Sequence, residues 1–127
     1  MVQDYDPDVA PPAEEWMGAD DSDKLVAVMT YHRQARIAVA NARLHAAIHV
    51  AVENQLALGE PVVVDTHARL QREGLMRHDS IHALGSVLVS ELAAALESPT
   101  DKAGLASSYL SGLADLTALR WRNGGDV

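Results

Sequence analysis

The chain has 127 residues, about the length of one average domain, and is long enough to bury a hydrophobic core without disulfides. It contains no cysteine, which excludes disulfides, thiolate metal sites and cysteine catalysis. The net charge of −8 is concentrated near the N-terminus, because residues 1–23 hold eight of the 18 acidic side chains and none of the 10 basic ones. The rest of the chain is neutral, which disfavours nucleic acid as a partner.

The hydropathy pattern indicates where in the cell the protein is expected to be found. No uncharged apolar run reaches the length of about 20 residues that a membrane span needs, and no basic and then apolar leader predicts export. We therefore expect a cytoplasmic protein without a membrane partner.

Residues 1–20 are predicted to form an extended acidic arm. Pro7, Pro11 and Pro12 remove backbone donors and disfavour helix in the residues that precede them. Trp16 is expected to anchor this arm on the rest of the protein.

Five helices are predicted after the arm, approximately over residues 21–37, 42–58, 61–74, 77–97 and 98–122. Their ends carry capping signals: Asn41 and Ser98 are good N-caps, Pro61 suits a first helical turn, and Gly59 suits the position after a helix. No segment shows the strict alternation of a strand. The sequence thus predicts an all-α, single-domain bundle of four to five helices over residues 21–122, with a disordered tail over 123–127.

The second predicted helix places three polar side chains on one face. His45, His49 and Glu53 follow one another at intervals of four residues, so they project in the same direction. Apart from Arg43 and Glu53 this helix has no charged residue, which is typical of a helix buried in a bundle. Because an unpaired buried carboxylate is costly, Glu53 needs a cation, a proton or a metal ion nearby.

The fourth predicted helix has a similar pair, His78 and His82, in the middle of its apolar face. If the two histidine-bearing faces meet, their imidazoles and carboxylate could bind one or two transition-metal ions, with Fe, Mn or Zn as candidates. The predicted ligands are His45, His49, Glu53, His78 and His82, with His32 on the first helix as a further candidate. An open coordination position would admit a small-molecule ligand and permit oxygen, peroxide or hydrolytic chemistry.

Two alternatives use the same residues without a metal. In one, Glu53 and a histidine exchange a proton in a polar pocket. In the other, the histidines are structural core residues and Glu53 pairs with Arg43 or Arg77. The protein would then be a non-enzymatic interaction module.

The last predicted helix indicates that the protein associates with a second copy of itself. An apolar ridge runs along it, and Leu110 and Leu119 lie farther round the same helix. Apolar surface of this extent usually finds a partner, and a two-fold dimer is the commonest solution. The sequence therefore predicts a homodimer.

Three stretches carry a resemblance to a known group of proteins: YDPDVAP from Tyr5, RLHAAIHVAVENQ from Arg43 and GLMRHDSIHALGSVL from Gly74. They resemble a family of small bacterial proteins classed as a domain of unknown function. The resemblance covers about residues 5–96. It implies a small helical bacterial protein and no particular activity.

The histidine pattern is also similar to that of hemerythrin-like di-iron bundles, which use a lone His, then HxxxE, then HxxxH. His32, His49 with Glu53, and His78 with His82 match these parts in order. The final His and Asp of that pattern are missing, since no histidine follows residue 82, and an extra helix separates the second and third parts. The similarity implies iron as one candidate metal.

Overall fold

The computed structural model describes residues 4–124, which form helices and connecting turns and contain no strand. The chain divides into two compact units, Met1–Glu60 and Pro61–Val127. The prediction of an all-α protein is confirmed. The described residues form seven helices, so the predicted number of four to five was too low.

The first unit contains three helices: α1 (Ala13–Gly18), α2 (Asp21–Gln34) and α3 (Ala42–Ala57). Both α1 and α2 pack against α3. As predicted, Asn41 caps α3, because its side chain accepts the backbone N–H of Leu44. The core of this unit consists of Tyr5, Trp16, Ala27, Val28, Ala46 and Val50.

The structure does not show the extended N-terminal arm predicted over residues 1–20: residues 4–12 contain no helix, but the residues that follow them do. Residues 13–18 form α1, and the prolines do not prevent it because all of them precede the helix. Tyr5 and Trp16 are both buried. Trp16 also donates its indole N–H to the Oδ1 of Asn54 on α3, at 2.8 Å. The N-terminal segment is therefore part of the core of the first unit, whereas residues 1–3 lie outside the described range.

The second unit contains α4 (Pro61–Arg72), α5 (Arg77–Glu97), α6 (Lys102–Asp115) and α7 (Ala118–Gly124). Helix α5 packs against the other three helices of this unit. Its bounds agree with the predicted helix over residues 77–97. The buried apolar residues of the unit include Val63, Leu70, Ile81, Leu84, Tyr109 and Leu113.

The single helix predicted over residues 98–122 is two helices. The first is capped by Asp101, which accepts the N–H of Gly104, and it ends before Leu116, whose backbone is extended. Arg69 on α4 donates to the carbonyl of Leu116 at 2.7 Å, which satisfies a carbonyl at the end of α6. Residues 123–124 of the predicted disordered tail belong to α7, and residues 125–127 lie outside the described range.

Helix α5 is also long and apolar enough to cross a membrane, by length and composition. This length and hydropathy differ from the sequence prediction, in which no apolar run is long enough for a membrane span. The core helix of a water-soluble protein meets the same criteria, and residues 80–85 of α5 are buried within the protein.

Candidate metal centre

Three histidines of the first unit lie within one cluster. His32 comes from the last turn of α2, and His45 and His49 come from one face of α3. The three ring centroids are 4.7, 4.8 and 4.9 Å apart, and all three side chains are buried. Packing of α2 on α3 is what brings His32 to the other two, since His32 is 13 residues from His45 in the chain.

The Nε2 atoms of His32 and His45 are 3.2 Å apart. The Nδ1 of His32 is 2.9 Å from the carbonyl oxygen of Val28, and it must carry a proton because a carbonyl can only accept. The Nε2 of neutral His32 is therefore unprotonated, and it can accept a hydrogen bond from His45 or bind a metal ion. Two nitrogens bound at about 2.0–2.1 Å to one tetrahedral zinc ion are about 3.3 Å apart, so the observed spacing also fits a shared ion.

His49 is connected to a carboxylate through a tyrosine. The hydroxyl of Tyr5 donates a short hydrogen bond of 2.5 Å to the Oε2 of Glu53. The same hydroxyl oxygen is 3.2 Å from the Nδ1 of His49. Since the single hydroxyl proton is directed to Glu53, the Nδ1 of His49 is the donor in this second contact. The Nε2 of neutral His49 is then unprotonated, and ring nitrogens of His49 and His32 lie within 4.8 Å of one another.

Aromatic rings surround this cluster. Tyr5 packs against Trp16 with ring centroids 5.6 Å apart, and edge-on against Tyr31 at 6.4 Å. Tyr31 in turn contacts the ring of His32 edge-on at 5.3 Å. Burial raises the pKa of Tyr31, and the negative charges of Asp6 and Asp8 raise it further.

Lys24 is a buried cation in the same unit, only 2% exposed. Its Nζ donates to the Oδ1 of Asn54 at 3.1 Å and lies 5.4 Å from the centre of the Trp16 ring. The indole N–H of Trp16 donates to the same Asn54 oxygen. Asn54 follows Glu53 directly on α3, so these contacts hold the C-terminal half of α3 against α1 and α2.

The second unit contains a histidine pair on α5. His78 and His82 have ring centroids 4.3 Å apart, with ring nitrogens within 4.8 Å of one another. His67 on α4 contacts the buried Ser80 of α5, with its Nδ1 at 2.7 Å from the hydroxyl oxygen. This last contact joins two helices of the unit. His78 and His82 could together offer two ligands to one ion.

The structure thus brings four of the predicted ligands, His32, His45, His49 and Glu53, together in the first unit, and the other two, His78 and His82, in the second. The prediction that both sets bind one ion stays a prediction from the sequence.

Tyr5 is not among the site residues predicted from the sequence, because it lies in the segment that was expected to form the arm. The composition held one indication, because a chain without phenylalanine and with only three tyrosines has few aromatic residues to place in a core. In the described structure Glu53 accepts a hydrogen bond from this tyrosine, whereas Arg43, one of its two expected ion-pair partners, is exposed.

Comparisons with family models, with curated proteins and with solved structures give no match to this chain. The geometry of the histidine cluster in the first unit is therefore the basis for a proposed function.

Proposed function

We propose that the protein binds a divalent transition-metal ion through the imidazoles of His32, His45 and His49. The observation that carries the proposal is the 3.2 Å separation of the His32 and His45 Nε2 atoms, with a ring nitrogen of His49 close by. In the neutral forms that the hydrogen bonds of His32 and His49 favour, both residues have an unprotonated Nε2. Such nitrogens are the ligands that imidazole sites offer to metals.

The donor set favours some metals over others. Imidazole suits Zn²⁺ and Fe²⁺, whereas Mn²⁺ prefers sites with more carboxylate and water ligands. Glu53 adds negative charge beside the cluster and is 1% exposed, so a bound cation would stabilise this carboxylate. Of the metals predicted from the sequence, Zn²⁺ and Fe²⁺ therefore fit the cluster better than Mn²⁺.

Metal analysis of the full chain, produced without a histidine tag, tests the proposal. We expect stoichiometric metal in the wild type and none above background in a His32→Ala, His49→Ala double variant. His67→Ala is the matched control, because it removes a histidine whose Nδ1 contacts Ser80 in the second unit. Folded wild-type protein that stays metal-free after incubation with Zn²⁺ or Fe²⁺ would overturn the proposal and favour the non-enzymatic module.

A further inference from the structure

This inference rests on the proposed metal centre and concerns two residues beside it, Tyr5 and Glu53, that do not bind the ion. We infer that Tyr5 and Glu53 are positioning residues, which hold His49 through two hydrogen bonds so that its Nε2 faces the ion. Glu53 would then orient His49 without binding the ion, whereas the sequence predicts that Glu53 is a metal ligand.

The direction of the hydrogen bonds carries the argument. The 2.5 Å contact directs the Tyr5 proton to Glu53, and the Nδ1–H of His49 then donates to the Tyr5 oxygen. A histidine protonated at Nδ1 can bind a metal only through Nε2. The series of hydrogen bonds therefore determines which atom of His49 is available as a ligand.

The hydrogen bond from His49 to Tyr5 is also expected to strengthen metal binding. Metal-binding histidines commonly donate their second N–H to a carboxylate or another acceptor, which orients the ring and increases its basicity, and loss of that acceptor typically weakens metal binding by about 10- to 100-fold. Here the acceptor is a tyrosine oxygen, and its own proton is held by a carboxylate. The tyrosine comes from the segment before α1, so the N-terminal segment contributes directly to metal affinity.

Co²⁺ titration of the purified full chain, followed by its visible absorption, measures this contribution. Tyr5→Phe removes one oxygen and keeps the ring that packs on Trp16 and Tyr31. We expect about 10- to 100-fold weaker Co²⁺ binding with unchanged stoichiometry. Tyr109→Phe, which removes a buried hydroxyl in the second unit, should bind Co²⁺ as the wild type does.

A double-variant comparison separates a positioning role from a ligand role for Glu53. Glu53→Gln alone should also weaken Co²⁺ binding. If both residues act through one series of hydrogen bonds, the combined Tyr5→Phe, Glu53→Gln variant should bind about as weakly as Tyr5→Phe, because the effects are not independent. Losses that multiply would overturn the inference and indicate that Glu53 acts on the ion by itself.

Nitrogen NMR of the histidine rings gives a readout that a purely structural role would not change. The metal-free wild type should show His49 protonated at Nδ1, and Tyr5→Phe should lose this preference while circular dichroism remains helical. Wild-type Co²⁺ binding that is unaltered in Tyr5→Phe would overturn the inference and leave the metal centre standing. Absence of Co²⁺ binding in the wild type would overturn the proposed function itself.

Discussion

The hydroxyl of Tyr5 donates a 2.5 Å hydrogen bond to Glu53, a residue 48 positions further along the chain. Both side chains are buried, and the contact joins the segment before α1 to the face of α3 that bears His45 and His49. The N-terminal residues thus have two roles in the first unit: they complete its core and they contact its histidine cluster.

Removal of the N-terminal segment is expected to destabilise the protein, contrary to the expectation for a loosely attached arm. Deletion of residues 1–12 removes the ring and hydroxyl of Tyr5 and the buried Pro7. We expect a lower midpoint in urea and weaker metal binding in the truncated chain. Equal urea midpoints for the truncated and complete chains would contradict this prediction.

Trp16→Ala tests the anchor of α1 on α3. Trp16 is fully buried and its indole donates to Asn54, so we expect a loss of about 3–5 kcal/mol in the free energy of unfolding. Met17→Ala, one residue further along α1 at a position 37% exposed, is the matched control and should cost about 0.5 kcal/mol or less. Urea denaturation followed by circular dichroism measures both values.

Metal removal is expected to lower thermal stability. An ion that binds only the folded state stabilises it by mass action, by about 2.7 kcal/mol when the free ion is at 100 times its dissociation constant. We therefore expect a chelator to lower the Tm of the wild type and to leave that of the His32→Ala, His49→Ala variant unchanged. A chelator effect of equal size in both proteins would count against the cluster as the binding site.

The prediction that His78 and His82 bind the same ion has its own test. If it holds, the His78→Ala, His82→Ala double variant should lose metal, as a variant of the first-unit cluster should. His67→Ala is again the control. Full metal content and unaltered affinity in the double variant would restrict the ligands to the first unit and leave His78 and His82 as structural residues of α5.

The contact between Glu73, which directly follows α4, and Ala118 at the start of α7 predicts a specific acid response. The pKa of Glu73 lies below its ordinary value of 4.5, first because its carboxylate accepts the backbone N–H of Ala118 and then because Arg69 donates to it. A carboxyl group whose pKa is lowered by folding stabilises the folded state above its unfolded pKa, and this contribution is lost as the pH falls through the folded pKa.

Glu73→Gln should accordingly be less stable than the wild type at pH 7, and the difference should shrink as the pH falls below 4.5. Glu97→Gln, at the exposed end of α5, should keep the pH dependence of the wild type. Thermal unfolding across this pH range measures the difference. A constant gap between wild type and Glu73→Gln at every pH would contradict the assignment.

Association through the C-terminal helices stays a prediction. Leu110 on α6 is 43% exposed and Leu119 on α7 is 66% exposed, which leaves apolar surface for a second copy. We expect light scattering to give about twice 13.6 kDa and a Leu110→Glu, Leu119→Glu variant to shift toward monomer. A wild-type monomer at tens of micromolar would reject the dimer.

Sequence patterns were sufficient to predict the helical class, the approximate bounds of α3 and α5 and the positions of the histidines on their helices. These features depend on local physics. Asn41 caps the helix that follows it, and a four-residue spacing places His45 and His49 on the same face whatever that face packs against.

The partners of those side chains and the ends of the other helices depend on how the helices pack. His32 reaches His45 because α2 packs on α3, and Tyr5 reaches Glu53 because Tyr5 is buried in the core of the first unit. The helix predicted over residues 98–122 is interrupted near Leu116, where Arg69 of α4 donates to the carbonyls of Leu113 and Leu116. Such hydrogen bonds join residues far apart in the chain, so they follow from packing and leave no periodic signal in the sequence.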